Sequence, residues 1–338
     1  MTQAKTWLHI VNRMNGGVKA VIENLLYTGI EGYKQNVIEL ATTGSGFFGL
    51  YKKRKYAQSS ISTLPSDSVV HIHCGLRSWL YCSSRKDIRQ IVTIHGIVPP
   101  HGIRRLWEKL DLMLLSRARA SLVAVSDTCR RKMNRINPLH RPVTVIPNGT
   151  LAPAFSLRLQ DNSSETVNVI FVGALWENKG IHTFLSAAQL LNDAPIIFTV
   201  FGEGPESAAV EKACASNKNI RWVRGMYKAS KIFIEKDILV FPSRFEGCPM
   251  VILEAMSYGV TCIASDIPSI REIIDDGRDG ILIKSWNPED YASAINMLAK
   301  SKERREKIAA SAREKWVTSY TSQLMAQRYL ELANTGLV

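Results

Sequence analysis

Short apolar runs rich in Val, Ile and Phe alternate along this chain with stretches of helical periodicity. In the first half, residues 6–11, 36–41, 69–73, 90–94, 121–125 and 143–146 read as strands, with 18–27, 103–117 and 127–134 as helices between them. Residues 151–165 carry Pro153, Ser156 and a run of polar residues without periodicity, the composition of a linker. The alternation then restarts, with strands predicted at 167–172, 196–201, 220–223, 238–241, 261–264 and 281–283. From Pro288 onward the pattern is helical and strand-free. Strand–helix alternation builds parallel sheets with right-handed crossovers. The expectation is therefore an α/β chain of two doubly wound, Rossmann-like domains facing each other, 1–150 and 166–315. A C-terminal helix over 316–338 is expected to pack back toward the N-terminal domain.

Open α/β sheets bind ligands outside the carboxyl ends of their strands, so the loops after strands carry the candidate chemistry. The first strand runs into Asn12-Arg13-Met14-Asn15-Gly16-Gly17 and then a helix. Paired glycines there either let the backbone approach a ligand or make a plain tight turn. Gly44-Ser45-Gly46-Phe47-Phe48-Gly49 satisfies the dinucleotide fingerprint but follows the second strand and lacks the acidic residue that fingerprint needs, so dinucleotide binding is not expected. His95, followed by Gly96, stands at a strand end where an imidazole would touch substrate. His9, His71 and His73 lie inside strands and read as packing or hydrogen-bonded residues, while His101, His140 and His182 carry no signal.

The second half is richer. Gly173 opens a loop that ends in Lys179-Gly180 at a helix start, and a Lys ammonium beside a helix N-terminus favours an anion. Gly202-Glu203-Gly204-Pro205 follows the next strand. The sharpest feature is Pro242 to Ala255, with Glu246 and Glu254 eight residues apart and Pro249 starting a helix between them. Free N–H groups near residues 248–251 would hold a diphosphate. Glu254 would accept from ribose hydroxyls, and Glu246 would address the group beyond the phosphates.

Composition narrows the class. With 46% hydrophobic and 22% charged residues the 338-residue chain has the balance of a globular protein, and no apolar stretch reaches the ~18–20 residues of a membrane span. Asn12, Arg13 and Asn15 interrupt the N-terminal apolar run, so no signal peptide is expected. Six cysteines, at 74, 82, 129, 214, 248 and 262, form no CxxC pair and read as cytosolic thiols rather than a zinc site or disulfide scaffold. Charge is uneven: residues 1–150 hold 22 Lys+Arg against 8 Asp+Glu, net +14, and residues 151–338 hold 21 against 22, net −1. A basic half of that strength points to an anionic surface, polymer or substrate.

The segment from Glu246 to Glu254 resembles the EX7E motif of the retaining glycosyltransferases of family GT4, which have the GT-B fold. The resemblance extends in order along nearly the whole chain: Gly16-Gly17, Thr93-Ile94-His95-Gly96, Val125-Ser126-Asp127, Val145-Ile146-Pro147-Asn148-Gly149, Gly173 through Lys179-Gly180, Gly202 to Pro205, and Asp276-Gly277-Arg278-Asp279-Gly280. It implies two facing domains with a cleft between them, an N-terminal acceptor domain and a C-terminal nucleotide-sugar domain. It implies that His95 and Glu246 serve catalysis beside the transferred sugar, with Glu246 on its hydroxyls. By the same resemblance the donor, UDP- or GDP-linked, is held by Gly16, Gly17, Gly173, Lys179, Gly202, Arg244, Gly247, Cys248, Pro249, Met250, Val251 and Glu254. The family needs no metal, and no DxD-like carboxylate pair is placed here to hold one. One departure matters: Ala174 stands where the family has an arginine on the diphosphate, which leaves Arg13 and Arg244 as candidate replacements or the donor grip weaker.

The resemblance also implies a hexose transferred to a saccharide acceptor, with a polyprenyl-diphosphate-linked oligosaccharide in lipopolysaccharide or capsule assembly as the expected setting. Ile103, Leu106, Trp107, Leu110, Met113 and Leu114 make one apolar helical stripe flanked by Arg104, Arg105 and Lys109, a pattern shared by interfacial helices and helices packed on a sheet. With Lys52-Lys53-Arg54-Lys55 it leads to the expectation of a cytoplasmic protein, peripheral on the inner face of the cytoplasmic membrane and held by anionic lipid. A sugar phosphorylase or nucleotide-sugar hydrolase on the same fold is the alternative enzyme, and an anion-binding module the alternative without chemistry. Nucleic acid is not expected as a partner, because charge alone supports it, with no RNP, KH or helix-turn-helix motif.

Overall fold

The computed structural model describes residues 4–40, 46–73, 78–96, 110, 113–115, 119–136, 141–153, 166–225 and 228–335. The chain divides into two compact units, Met1–Gly149 with Ser322–Val338, and Thr150–Thr321.

In the first unit β1 (Thr6–Val11), β2 (Lys34–Glu39), β3 (Val69–Ile72), β4 (Arg89–Ile94), β5 (Ser121–Ala124) and β6 (Val143–Val145) form one parallel six-stranded sheet in the order β2-β1-β3-β4-β5-β6. Helices α1 (Gly16–Thr28), α2 (Gly46–Ser62) and α3 (Asp127–Ile136) connect its strands. All six residues of β1 are buried, and Val69, Val70, Ile72, Ile91 and Val92 fill the neighbouring strands. A parallel sheet covered on both faces calls for such near-continuous apolar runs. β2 occupies residues 34–39 rather than the predicted 36–41. It is an edge strand paired only to β1, from Thr6↔Lys34 to Val11↔Glu39, so ladder bonds rather than burial set where it begins.

In the second unit β7 (Val167–Val172), β8 (Ile196–Phe201), β9 (Ile220–Val223), β10 (Ile238–Phe241), β11 (Thr261–Ser265) and β12 (Ile281–Ile283) form a second parallel sheet, ordered β12-β11-β10-β7-β8-β9. Its helices are α4 (Ile181–Leu190), α5 (Ser207–Ser216), α6 (Ala229–Ile232), α7 (Met250–Ser257), α8 (Pro268–Arg271), α9 (Pro288–Ala299) and α10 (Lys302–Ser319). Phe171, Phe184 and Phe198 meet at ring-centroid distances of 5.6 and 5.9 Å in the middle of its core, flanked by Val200, Val240, Ile263 and Ile295.

The last helix, α11 (Ser322–Thr335), belongs to the first unit. The predicted helix from residue 316 is therefore two pieces: α10 continues through Trp316 to Ser319, and α11 starts afresh at Ser322. Backbone pairing causes the break. The Thr150 N–H donates to the Tyr320 carbonyl at 2.9 Å, Thr150 bridges Thr321, and the Trp316 indole donates to Thr150 Oγ1 at 2.7 Å. Most of the predicted linker and of the 103–117 helix, including Ile103, Arg104, Arg105, Leu106, Trp107 and Lys109, lies outside the described residues.

In both sheets the strand order reverses next to the first strand of the unit, between β1 and β3 and between β7 and β10. Ligands of doubly wound sheets bind at the carboxyl ends of such strand pairs.

Candidate functional site

At the carboxyl ends of β7, β8 and β10, the loops are locked to one another by backbone. The Gly173 N–H donates to the Phe201 carbonyl at 3.0 Å, and the Leu175 N–H to the Glu203 carbonyl at 2.9 Å. The Arg244 N–H donates to the Asn178 carbonyl at 2.9 Å, which ties the loop after β10 to the short 3-10 turn Glu177–Lys179. Two glycines are required for this closeness. Gly180 sits at φ +77°, and a Cβ there would lie 2.2 Å from the Pro242 carbonyl oxygen. At Gly202, φ +140°, a Cβ would lie 1.9 Å from the Gly173 carbonyl oxygen. No L side chain fits either position without moving the backbone.

This packing sets Lys179 against Glu246, with Nζ donating to Oε1 at 2.7 Å. Both side chains are largely covered, 28% and 11% exposed, so the pair is screened less than a surface ion pair. Arg244 is exposed, stands 3.6 Å from Glu177 and lies over the Trp286 ring at 5.9 Å. It thus borders the same loop that carries Ala174 and Lys179. Arg13 is exposed on the loop after β1, in the first unit.

The loop then passes through buried Gly247, Cys248 and Pro249 into α7, which begins at Met250 without a side-chain cap from Pro249. Its first amides carry the partial positive charge of a helix N-terminus. Glu254 lies one turn further on, half-buried, and its carboxyl has no hydrogen-bond or ionic partner among the described residues. Burial pushes its pKa up to about 7. A half-buried carboxyl without a partner is costly in a folded chain and is normally matched by something that binds it.

The first unit presents a different constellation. α1 follows β1 through Asn15, which makes no side-chain cap, and Gly16 at φ +52°; Gly16 and Gly17 are both exposed. At the end of β4, half-buried His95 Nε2 lies 2.9 Å from His73 Nδ1. His73 Nε2 meets His9 Nδ1 at 3.1 Å, and His9 Nε2 meets Gln35 Oε1 at 2.9 Å. Beside this line, the Trp7 indole donates to His71 Nδ1 at 3.3 Å and His71 Nε2 lies 2.8 Å from Thr93 Oγ1, which reaches the Tyr329 hydroxyl of α11 at 2.9 Å. Burial lowers His9 and His95 to about 4 and holds His71 and His73 well below the ordinary imidazole range. All four rings are therefore neutral at pH 7.

Reading the histidines one by one along the sequence misses this assembly. The signal was the spacing of His71 and His73, two apart and so on one face of a strand, between β1 with His9 and β4 with Thr93 and His95. The nitrogens of His9, His71 and His73 lie within 4.8 Å of one another, as metal ligands do. No metal-ligand cluster is expected from the sequence, and only the fold brings these three histidines together. Here these nitrogens are engaged in hydrogen bonds with protein groups.

Two parallel six-stranded sheets with helices, each reversing strand order beside its first strand, match the GT-B fold of solved glycosyltransferases. Residues 51–150 match Glycosyltransferase Family 4 and residues 166–301 match Glycosyl transferases group 1, so the chain carries a domain of each of these glycosyltransferase families. Anabaena HepE, solved in complex with UDP and glucose, superposes with a TM-score of 0.77 at 14% identity over 98% of this chain and all of that one (100%). The N,N'-diacetylbacillosaminyl-diphospho-undecaprenol alpha-1,3-N-acetylgalactosaminyltransferase of Campylobacter jejuni is 30% identical over 161 residues, 47% of this chain and 42% of that one. The alpha-maltose-1-phosphate synthase of Mycobacterium tuberculosis is 25% identical over 332 residues, 82% and 84% of the two chains. The chain spans about half the length of several curated relatives it matches, including the Campylobacter transferase (42%) and the alpha-maltose-1-phosphate synthase of Mycolicibacterium smegmatis (46%).

Proposed function

We propose that the protein transfers a hexose from a UDP- or GDP-linked donor to a saccharide hydroxyl with retention of anomeric configuration and without a metal ion. The observation that carries this reading is the grouping, on the second unit, of Lys179, Glu246, the start of α7, which no side chain caps, and Glu254, unpartnered among the described residues. In this reading Lys179 leaves Glu246 to neutralise the donor diphosphate, the backbone from Gly247 to Val251 lines it with the Met250 and Val251 N–H groups of the α7 start donating, and Glu254 takes the ribose hydroxyls. Glu246 addresses the sugar, with Gly173 and Gly202 keeping the floor of the site open. Arg244 replaces the family arginine missing at Ala174. Gly16, Gly17 and His95 serve the donor diphosphate and sugar from the first unit. Alignment of donor and acceptor supplies much of the rate, and fixed positive groups stabilise the charge on the leaving diphosphate. No side chain of the second-unit group acts as covalent nucleophile in this reading; the acceptor attacks on the face the diphosphate leaves. The test is transfer itself, from a nucleotide sugar to a polyprenyl-diphosphate-linked saccharide in the presence of EDTA, and nucleotide release independent of acceptor would refute it.

The acceptor in this reading is lipid-linked, as in lipopolysaccharide or capsule assembly, with the protein peripheral on the inner face of the cytoplasmic membrane. Support comes from the net charge of residues 1–150 and from α2, which exposes Tyr51, Lys52, Arg54, Lys55 and Tyr56 together. The name of the Campylobacter relative also specifies a diphospho-undecaprenol acceptor. No helix of the described residues is long and apolar enough to cross a membrane. Each basic residue at an anionic surface contributes about 1 kcal/mol, so replacing Lys52, Arg54 and Lys55 by Gln should weaken binding to anionic vesicles about 100-fold at low salt. Co-sedimentation checks this, and a wild-type chain that ignores such vesicles at low salt contradicts the membrane reading.

A further inference from the structure

The line of imidazoles behind His95 has a direction, and the direction follows from its far end. The Gln35 amide is clamped: its Nε2 donates to the Leu25 carbonyl at 2.9 Å, and a carbonyl can only accept. The amide therefore turns Oε1 toward His9, and His9 Nε2 must carry the proton that bonds it. A neutral imidazole has one N–H and one lone pair. His9 Nδ1 is then an acceptor, so the proton between it and His73 belongs to His73 Nε2. By the same step His73 Nδ1 accepts, and His95 donates from Nε2. The lone pair left over is on His95 Nδ1, for which the described residues supply no partner.

The neighbouring line is anchored just as firmly. An indole N–H can only donate, so Trp7 makes His71 Nδ1 the acceptor and sends the His71 Nε2 proton to Thr93. The His71 and His73 rings lie 3.9 Å apart, packed under Tyr329 at 4.6 Å from His71, which holds both lines in place. Hydrogen bonds use the lone pairs that a metal ion among His9, His71 and His73 would need.

We infer that Gln35, His9 and His73 form a one-way hydrogen-bond relay that fixes His95 in the Nε2–H tautomer and makes its Nδ1 a permanent acceptor for a substrate hydroxyl. Burial of the four rings keeps them neutral, as the relay requires. The inference rests on the proposed sugar transfer for the identity of that hydroxyl, which belongs to a sugar. Gln35, His9 and His73 are positioning residues, and His95 is the group that meets substrate. A half-buried acceptor of fixed sense favours a sugar with the matching hydroxyl over one lacking it, because the protein leaves that lone pair for substrate to fill.

Long-range proton–nitrogen correlation spectra of the full chain labelled at histidine nitrogens test this, with signals assigned by single His→Gln substitutions. The expected result is neutral Nε2–H for His9, His73 and His95 from about pH 6 to 8. Gln35→Met should release the constraint, so that His95 divides between both tautomers and kcat/KM for sugar transfer falls at least about tenfold. Gln35→Glu, whose carboxyl keeps an acceptor facing His9, should restore the Nε2–H form. An Nδ1–H tautomer at His95 in the wild-type chain overturns the relay, and this measurement stands even where Gln35→Met fails to fold. So does an unchanged tautomer in a folded Gln35→Met chain, or stoichiometric zinc uptake that shifts the His9, His71 and His73 signals. Nucleotide-sugar binding measured on the same sample separates the two claims: a chain that binds no nucleotide sugar but keeps the tautomers refutes the proposed function and not the relay.

Discussion

Lys179→Met should lower kcat/KM for sugar transfer by about 10²- to 10³-fold, the usual cost of removing one group that stabilises charge on a departing oxyanion. Lys179 is the cation that the packing of Gly180 against Pro242 pushes toward the β10 loop, where it pairs with Glu246 at 2.7 Å. A bound diphosphate would take over that ammonium. Glu246, left without Lys179 in the variant, is only 11% exposed, so part of the loss reflects an uncompensated carboxylate. The double variant Lys179→Met with Glu246→Gln isolates that part. Steady-state kinetics should show kcat falling with kcat/KM, because the charge on the leaving group develops in the transition state. A Lys179→Met enzyme within twofold of wild type would mean that another group holds the diphosphate.

Glu254→Ala should weaken binding of a nucleotide sugar by about 10- to 150-fold, the equivalent of roughly 1.5–3 kcal/mol for a hydrogen bond to a charged group. Glu246→Ala should weaken it less, since the ribose contact serves every donor state and the Glu246 contact serves the sugar. The pH dependence gives a sharper signature. Burial raises Glu254 to about 7 in the free chain, and ribose hydroxyls bond the ionised form, so binding lowers that pKa. Affinity should then rise as pH increases through 7 and level off above about 8. A nucleotide sugar is the right ligand, because its doubly substituted diphosphate has no ionisation near neutrality. By the same linkage, a pKa raised above the ordinary 4.5 means that ionised Glu254 progressively destabilises the free chain as pH climbs from there to about 7. Calorimetric titration across this range checks both, and Glu254→Gln should remove the slope.

Much of the architecture was legible because a buried parallel strand has to be apolar almost throughout. Residues such as 167–172 and 238–241 announce themselves that way, and the structure places β7 and β10 there. The glycines of the second unit were legible too, since Gly180 and Gly202 mark places where two backbones come within reach of a missing Cβ. The break between α10 and α11 was not. It depends on Thr150, far away in sequence, whose backbone takes Tyr320 and Thr321 out of the helix. The histidine relay was hidden for the same reason. His9 and His73 lie 64 residues apart and His73 and His95 lie 22 apart, and only the order β1-β3-β4 brings them into line. Arg244 offered no spacing signal connecting it to Glu177 and Trp286, which three different loops contribute.

The most direct measurement of the central claim is the product formed from a panel of UDP- and GDP-sugars with a polyprenyl-diphosphate-linked saccharide, in EDTA, followed by nuclear magnetic resonance of the new anomeric centre. Nucleotide release should require the acceptor, and the new glycosidic bond should have the same anomeric configuration as the donor. Release without acceptor, an inverted linkage, or activity that returns only when Mg²⁺ or Mn²⁺ is supplied would contradict it.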